Sequence, residues 1–324
     1  MTRSYIVAAV LATAYMVVVI VATVGLSTQA SAGMSQDLKS CTAAKGRSSA
    51  AACTRVMNSG RLPRAQFYIG YFNRGSAYRR AGDANKALAD FNKVLERKPG
   101  FSRGHVMRAV VYDDLGNRNK ALADLDEAIK RDAENWSAYY IRATVLRAEQ
   151  RYDAALADLE TAAGFKPGKV KLRLLRALVW SDQGSNDDAH AEINKVIAEG
   201  NGNPEAYYVR AEVAFGENRL ESARDDVDKA LSLQASLAGA HTLKGRILEA
   251  RGARSAAMAA YRKALDLPVD GFEVRPARRT AHDRLEALKG GETPDVALNQ
   301  RNLEVGCKRF LPATGTIINA DCAE

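Results

Sequence analysis

The chain has 324 residues, of which 47% are hydrophobic and 26% charged, a balance that excludes a disordered chain. Its net charge is +9, yet it contains no run of five or more Lys/Arg, which excludes a basic nucleic-acid-binding tail. The charges are spread along the chain, so as a whole they select no class of partner.

At the N-terminus, Arg3 precedes an apolar run from Tyr5 to Leu26. Small and polar residues follow, with Ala30 and Ala32 in Ala-x-Ala order. A basic start, an apolar middle and a small-residue end form a secretory signal, with cleavage expected after Ala32. The run of 22 residues also reaches bilayer length at about 1.5 Å per residue. A cleaved signal over 1–32 and a retained inner-membrane anchor over 5–26 therefore both stay open. Either one places the body outside the cytoplasm, in the periplasm if the Ala/Arg-rich sequence is bacterial. Four cysteines fit an oxidising compartment.

Beyond the export segment, self-similarity at a spacing of 34 organises the chain. One column holds Gly75, Ala109, Ala143, Ala177, Ala211 and Gly245; a second holds Ala87, Ala121, Ala155, Ala189, Ala223 and Ala257. Between them, Ala87, Phe91, Val94 and Leu95 occupy one face of a 3.6-residue helix. Gly82, Gly116, Gly184 and Gly252 recur where a first helix ends, and Pro99 and Pro167 where a second one does. Each unit reads as helix, turn, helix. The Gly/Ala column is expected to face the all-Ala column, because a larger side chain would push the two axes apart.

The first full unit reads Tyr71-x-x-Arg74-Gly75-x-x-Tyr78, Ala87-x-x-x-Phe91, Pro99. This resembles the tetratricopeptide pattern Trp-x-x-Leu-Gly-x-x-Tyr, Ala-x-x-x-Phe, Pro. Six units fit over 67–271, with Arg in place of the usual Leu and with Trp180 and Ala214 in the Tyr78 column. The resemblance implies an all-α solenoid of antiparallel helix pairs.

A solenoid needs covered ends. Counting 34 back from Gly75 and Ala87 gives Cys41 and Cys53, which places both cysteines at the contact of a degenerate hairpin over 33–66. A disulfide is expected there, since facing positions at a tight crossing reach the Cα separation it needs, about 4.4–6.8 Å. At the other end, Ala281, Leu285 and Leu288 mark a capping helix over 272–290. In the tail, 291–324, Cys307 and Cys322 bracket a turn at Pro312 and Gly315, which reads as a disulfide-closed loop or short hairpin.

Arg74, Arg108, Arg142, Arg176, Arg210 and Lys244 form a basic column that resembles a phosphate site. An acidic column answers it: Asp90, Asp124, Asp158, Glu192 and Asp226, with Ala260 in the last unit. The expected result is a structural ion-pair ladder whose arginines are unavailable to ligands. His105 and His241 sit in the aromatic column and His190 and His282 alone on helices, so no metal site is expected. No P-loop, Gly-x-Gly-x-x-Gly or Gly-x-Ser-x-Gly string occurs. Neither an enzyme nor a cofactor is expected.

In the family resembled, first helices line a concave groove. Carried over, the groove candidates here are Phe72, Val106, Tyr140, Leu174 and Tyr208 in one column, and Arg79, Arg147 and Phe215 in another. The first column is apolar enough to anchor a peptide or to be core between adjacent helices, and both readings stay open. The second could set charge preference in a ligand. Some members of the family capture a peptide carboxylate with Lys and Asn; the matching positions here hold Phe72, Ser76 and Met107, so that mode is not expected. The resemblance therefore implies a scaffold that holds proteins or peptides, in envelope assembly or secretion. The alternative is a self-associating structural subunit of an envelope assembly.

Overall fold

The computed structural model describes residues 35–43, 46–60, 62–200, 202–267 and 274–290, and the backbone of 308–311 and 316–319. The export segment and the Cys307–Cys322 pairing fall outside the described residues. Packing divides the chain into two compact units, Met1–Ala138 and Tyr139–Glu324.

The first unit holds α1 (35–43), α2 (Arg47–Asn58), a 3-10 turn at Arg64–Gln66, α3 (Phe67–Arg80), α4 (Ala84–Arg97), α5 (Ser102–Asp114) and α6 (Arg118–Arg131). Each of α3 to α6 packs on the helix before it. A disulfide joins Cys41 on α1 to Cys53 on α2, with their Cα atoms 4.6 Å apart. Both cysteines are buried with Ala52 and Val56. The start of α7 (Trp136–Ala148) closes this unit.

The rest of α7 opens the second unit. It continues through α8 (Tyr152–Phe165), α9 (Val170–Asp182), α10 (Asn186–Glu199), α11 (Pro204–Gly216), α12 (Leu220–Leu233), α13 (Ala238–Ala250), α14 (Arg254–Asp266) and α15 (Val274–Lys289). Successive helices from α8 onward pack on each other, and α15 covers both α13 and α14. Ala281, Leu285 and Leu288 of α15 close over Ala257, Tyr261 and Ala264. In the tail, β1 (Lys308–Leu311) and β2 (Thr316–Asn319) pair antiparallel, Lys308 opposite Asn319.

All six first helices end the same way. Gly82, Gly116, Gly184 and Gly252 have φ of 87°, 79°, 88° and 75°, and Gln150 and Asn218 reach 60° in the same column. The next residue then donates its N–H to a carbonyl five residues back, as in Asp83 to Tyr78 at 2.9 Å and Asn117 to Tyr112 at 2.8 Å. This is the Schellman closure, which satisfies carbonyls that the helix end would leave bare. It repeats at Arg151, Ser185, Arg219 and Ala253.

The small columns are buried throughout and touch in the terminal hairpin as Cys41 and Cys53, and the first column also meets a larger residue. A Cβ on Gly75 would stand 3.2 Å from Asp90 and Phe91; on Gly245 it would meet the Tyr261 ring at 2.4 Å. The hairpin therefore pairs residue i with i+16. In that register Gly meets the aromatics Phe91 and Tyr261, whereas Ala109, Ala143, Ala177 and Ala211 stand opposite Leu125, Leu159, Ile193 and Val227. Side-chain volume across the crossing is held roughly constant, as close packing requires.

Candidate partner-binding face

The i/i+16 register also builds the ion-pair ladder. Arg74 grips Asp90 with two hydrogen bonds of 2.8 and 2.7 Å. Arg108 does the same to Asp124, Arg142 to Asp158 and Arg210 to Asp226. In the fourth repeat Arg173 and Arg176 share Glu192. The ladder also reaches backward: Arg108 donates to Asn92 and Arg210 to Asn194, each at i−16, and Arg74 donates to Thr54, 20 residues before it. Lys244, facing Ala260, makes the backward link, to Asp228 at 2.7 Å. The carboxylate hydrogen bonds hold Arg74, Arg108 and Arg210 above the ordinary arginine range, against the opposing effect of burial. These arginines are fixed structure.

Histidines are drawn into the same network. His105 is buried, with Nδ1 3.2 Å from Asp124 and Nε2 2.9 Å from the Pro99 carbonyl. His190, read as solitary in the sequence, has Nε2 3.0 Å from Glu217, because the next hairpin brings that carboxylate alongside.

The face made by first helices carries a second set of pairs, one residue out of period. Arg79 donates to Asp114 at 2.9 Å, Arg147 to Asp182 at 2.5 Å, and Arg284 to Glu249 at 3.2 Å, each across 35 residues. The last reverses the polarity. Arg79 and Arg147, expected to tune a ligand's charge, are thus committed to links between successive repeats. Burial works against the Arg147 charge, but Asp182, then Glu212 and Tyr208, outweigh it and hold the guanidinium above its ordinary range.

The expected apolar anchors divide. Val106, Tyr140 and Leu174 are only 6%, 6% and 4% exposed, so they are core between helices and not a solvated wall. Phe72 packs edge-on against Phe91 and Phe101. Half-buried Tyr208 and Phe215 are different, because the second unit brings them to one place. Tyr208 on α11 donates to Glu212 at 3.0 Å. Arg246 on α13 reaches Glu212 at 3.5 Å and lies 4.4 Å over the Phe215 ring. Its Nε is buried with no hydrogen-bond partner among the described residues. Tyr208, Glu212, Phe215 and Arg246 form the candidate site. Glu212 and Arg246 share a 34-spaced column with Ser76, Val110, Thr144 and Leu178. That column's change from small and apolar to charged was the available signal.

Helical hairpins whose charges are paired within the stack, leaving a preformed first-helix face, define an α-solenoid of the class that presents binding surfaces to other proteins. Profiles described as tetratricopeptide repeat match residues 68–101, 106–169, 146–213 and 238–268. The chain belongs to the tetratricopeptide-repeat proteins. It is similar to a tetratricopeptide repeat protein from Parabacteroides merdae, at 22% identity and a TM-score of 0.58 over 72% of this chain and 91% of that one. A thermophilic tetratricopeptide-repeat protein of Thermus thermophilus is 23% identical, with a TM-score of 0.51 over 56% and 98%. The Cut9–Hcn1 hetero-tetramer of APC/C matches at 13% identity and a TM-score of 0.52, over 73% of this chain and 45% of that one. No curated sequence matches. At these identities the likenesses establish the fold, and the fold is that of a protein-interaction scaffold.

Proposed function

We propose that this chain is an extracytoplasmic scaffold that holds a segment of a partner protein on its first-helix face, in envelope assembly or secretion. The carrying observation is Arg246, stacked on Phe215 with its Nε buried and unpartnered. A buried donor without an acceptor is costly, and a partner carbonyl or carboxylate removes that cost. Tyr, Phe and Arg in one half-buried cluster also match the composition of interface hot spots. Because ion pairs between repeats already fix the surrounding helices, binding requires little ordering of the scaffold. Location outside the cytoplasm draws support from the Tyr5–Leu26 run with its Ala-x-Ala end, and from the Cys41–Cys53 bridge.

The test is photocrosslinking in intact cells of the source, with a benzophenone amino acid at Phe215 of the full chain and a control at exposed Lys229. The expected result is a discrete partner adduct at Phe215 and none at Lys229. Arg246→Ala should weaken the isolated complex roughly 30-fold, the loss of a hot spot of about 2 kcal/mol. Equal labelling at both positions, or adducts only with a second copy of this chain, overturns the reading.

A further inference from the structure

Charges of both signs run along the chain, but the positive excess is concentrated in one stretch that no basic run announces. Residues 55–108 hold 12 Lys/Arg against 3 Asp/Glu, as large an excess as the +9 of the whole chain. The structure gathers part of it into a seam between α3 and α4. On α3, Phe67, Tyr71, Arg74 and Tyr78 follow one another at helical spacing; on α4, Lys86, Asp90, Lys93 and Arg97 do the same. The two stripes mesh. Arg97 lies 5.6 Å over both Phe67 and Tyr71, Lys93 lies 5.6 Å over Tyr71, and Lys86 lies 5.5 Å over Tyr78. Lys98 extends the seam, 4.6 Å over Tyr68 and 5.6 Å over Phe101. Asp90, the one acid inside the seam, is taken by Arg74.

Lys86, Lys93, Arg97 and Lys98 are exposed, and no carboxylate pairs with them among the described residues. Ring contacts hold their stems but leave the charges intact. The second repeat keeps the equivalent of Lys86 over Tyr78, with Lys120 5.6 Å from the Tyr112 ring, but not the charge excess. In the second repeat the same stripe reads Lys120, Asp124, Glu127 and Arg131, where Glu127 and Arg131 neutralise each other at 2.6 Å. In the fourth it reads Asp188, Glu192, Lys195 and Glu199.

We propose that this cation–aromatic seam is a contact for an anionic phospholipid surface. Three charges at 86, 93 and 97 lie along one side of a helix over about 16 Å, a line suited to a plane of headgroups. Half-buried rings beside them carry the amphipathic character that favours the membrane interface. Every ring in the seam already carries a cation of its own, so it does not offer the bare stacking platform that single-stranded nucleic acid uses. The 22-residue apolar run, Tyr5–Leu26, precedes this repeat and is the chain's other membrane-directed feature. The inference does not rest on the first-helix site, because the two involve different helices and different chemistry.

The experiment is lysine acylation of the full chain, read by peptide mass spectrometry, on vesicles of phosphatidylcholine alone or with a quarter phosphatidylglycerol. On anionic vesicles Lys86, Lys93 and Lys98 should acylate roughly fivefold more slowly than on neutral ones, while exposed Lys195 and Lys229 are unchanged. High salt should abolish the protection. Each of Lys86→Gln, Lys93→Gln and Arg97→Gln should lower the anionic-over-neutral partition ratio roughly fivefold. Equal acylation on the two vesicles, equal protection on both, or protection by short duplex DNA without protection by vesicles overturns the proposal.

Discussion

The i/i+16 register makes a strong prediction at the last repeat. A Cβ built on Gly245 stands 2.4, 2.6 and 2.8 Å from three atoms of the Tyr261 ring. Carbon atoms rest at about 3.5–4.0 Å, so Gly245→Ala forces a shift of roughly 1 Å. Tyr261 is fully buried and its hydroxyl donates to Glu249 at 2.8 Å, which leaves the ring nowhere to go. Overpacking costs about 1–3 kcal/mol, and this shortfall belongs at the upper end. Gly-to-Ala inside a helix returns about 0.5–1 kcal/mol, so the net loss is about 2 kcal/mol. Tyr261→Leu alone leaves a cavity and costs about 2–4 kcal/mol. The double variant recreates the Ala109/Leu125 pairing of the second repeat. It should lie at least about 1.5 kcal/mol closer to wild type than the two losses summed. Urea unfolding followed by circular dichroism measures the cycle. Hydrogen exchange in α13–α15 checks that the effect is local, since repeat arrays open in segments. Additivity within about 0.5 kcal/mol would refute the volume compensation.

Other consequences are testable in the same way. Asp124→Ala leaves both Arg108 and His105 without their shared carboxylate, and should cost about 3–5 kcal/mol in urea unfolding. A loss under about 1 kcal/mol would show that the ladder is ornamental. Burial alone would raise the Glu192 carboxyl, but a hydrogen bond from Arg173 and the charges of Arg173 and Arg176 leave it below the ordinary value of 4.5. A depressed carboxylate stabilises the fold above 4.5 and loses that contribution as pH falls below it. Glu192→Gln should therefore narrow its stability gap from wild type on acidification from neutral pH; a constant gap contradicts the assignment. Reducing Cys41–Cys53, which are 12 residues apart, should cost the terminal hairpin about 3 kcal/mol. Faster hydrogen exchange in α1 and α2, with α5 and α6 unchanged, is the expected result, and a uniform increase argues otherwise.

What repeated at a fixed spacing was legible. The two small columns, the Arg74-to-Lys244 ladder and the left-handed glycines all return every 34 residues, so one wrong guess at a single unit would not hide them. The contact of Gly75 with Phe91 was not legible, because periodicity says which positions are equivalent and not which ones touch. Only the coupling of Gly with Phe91 and Tyr261 reveals that register. The fate of the Phe72 column was also undecidable: a large apolar side chain between two first helices is as consistent with core as with an anchor. Three of its members, Val106, Tyr140 and Leu174, proved to be core. The basic seam was hidden because its charges are spaced at 86, 93 and 97 to follow a helix, and a search for consecutive cations passes over them.

The links between first helices explain why the candidate site lies where it does. Residue 80 and its equivalents read Arg80, Asp114, Ala148, Asp182, Gly216, Ala250 and Arg284. From Asp114 onward, an acid appears there when the preceding repeat offers Arg79 or Arg147, an Arg when it offers Glu249, and a small residue otherwise. Phe215 is followed by Ala250, so no ion pair of this kind joins the fifth repeat to the sixth. Arg246 takes over by resting on Phe215 and reaching Glu212 at 3.5 Å. A stacked guanidinium with a long hydrogen bond and an unused Nε is a weaker tie than a bidentate pair, and it can change acceptors without leaving its ring. Where the next junction locks its helices with the matched charges of Glu249 and Arg284, this one keeps a donor in reserve. A first-helix face that must stay rigid and still accept a partner has an adaptable point where a missing charge pair is replaced by a guanidinium stacked on a ring.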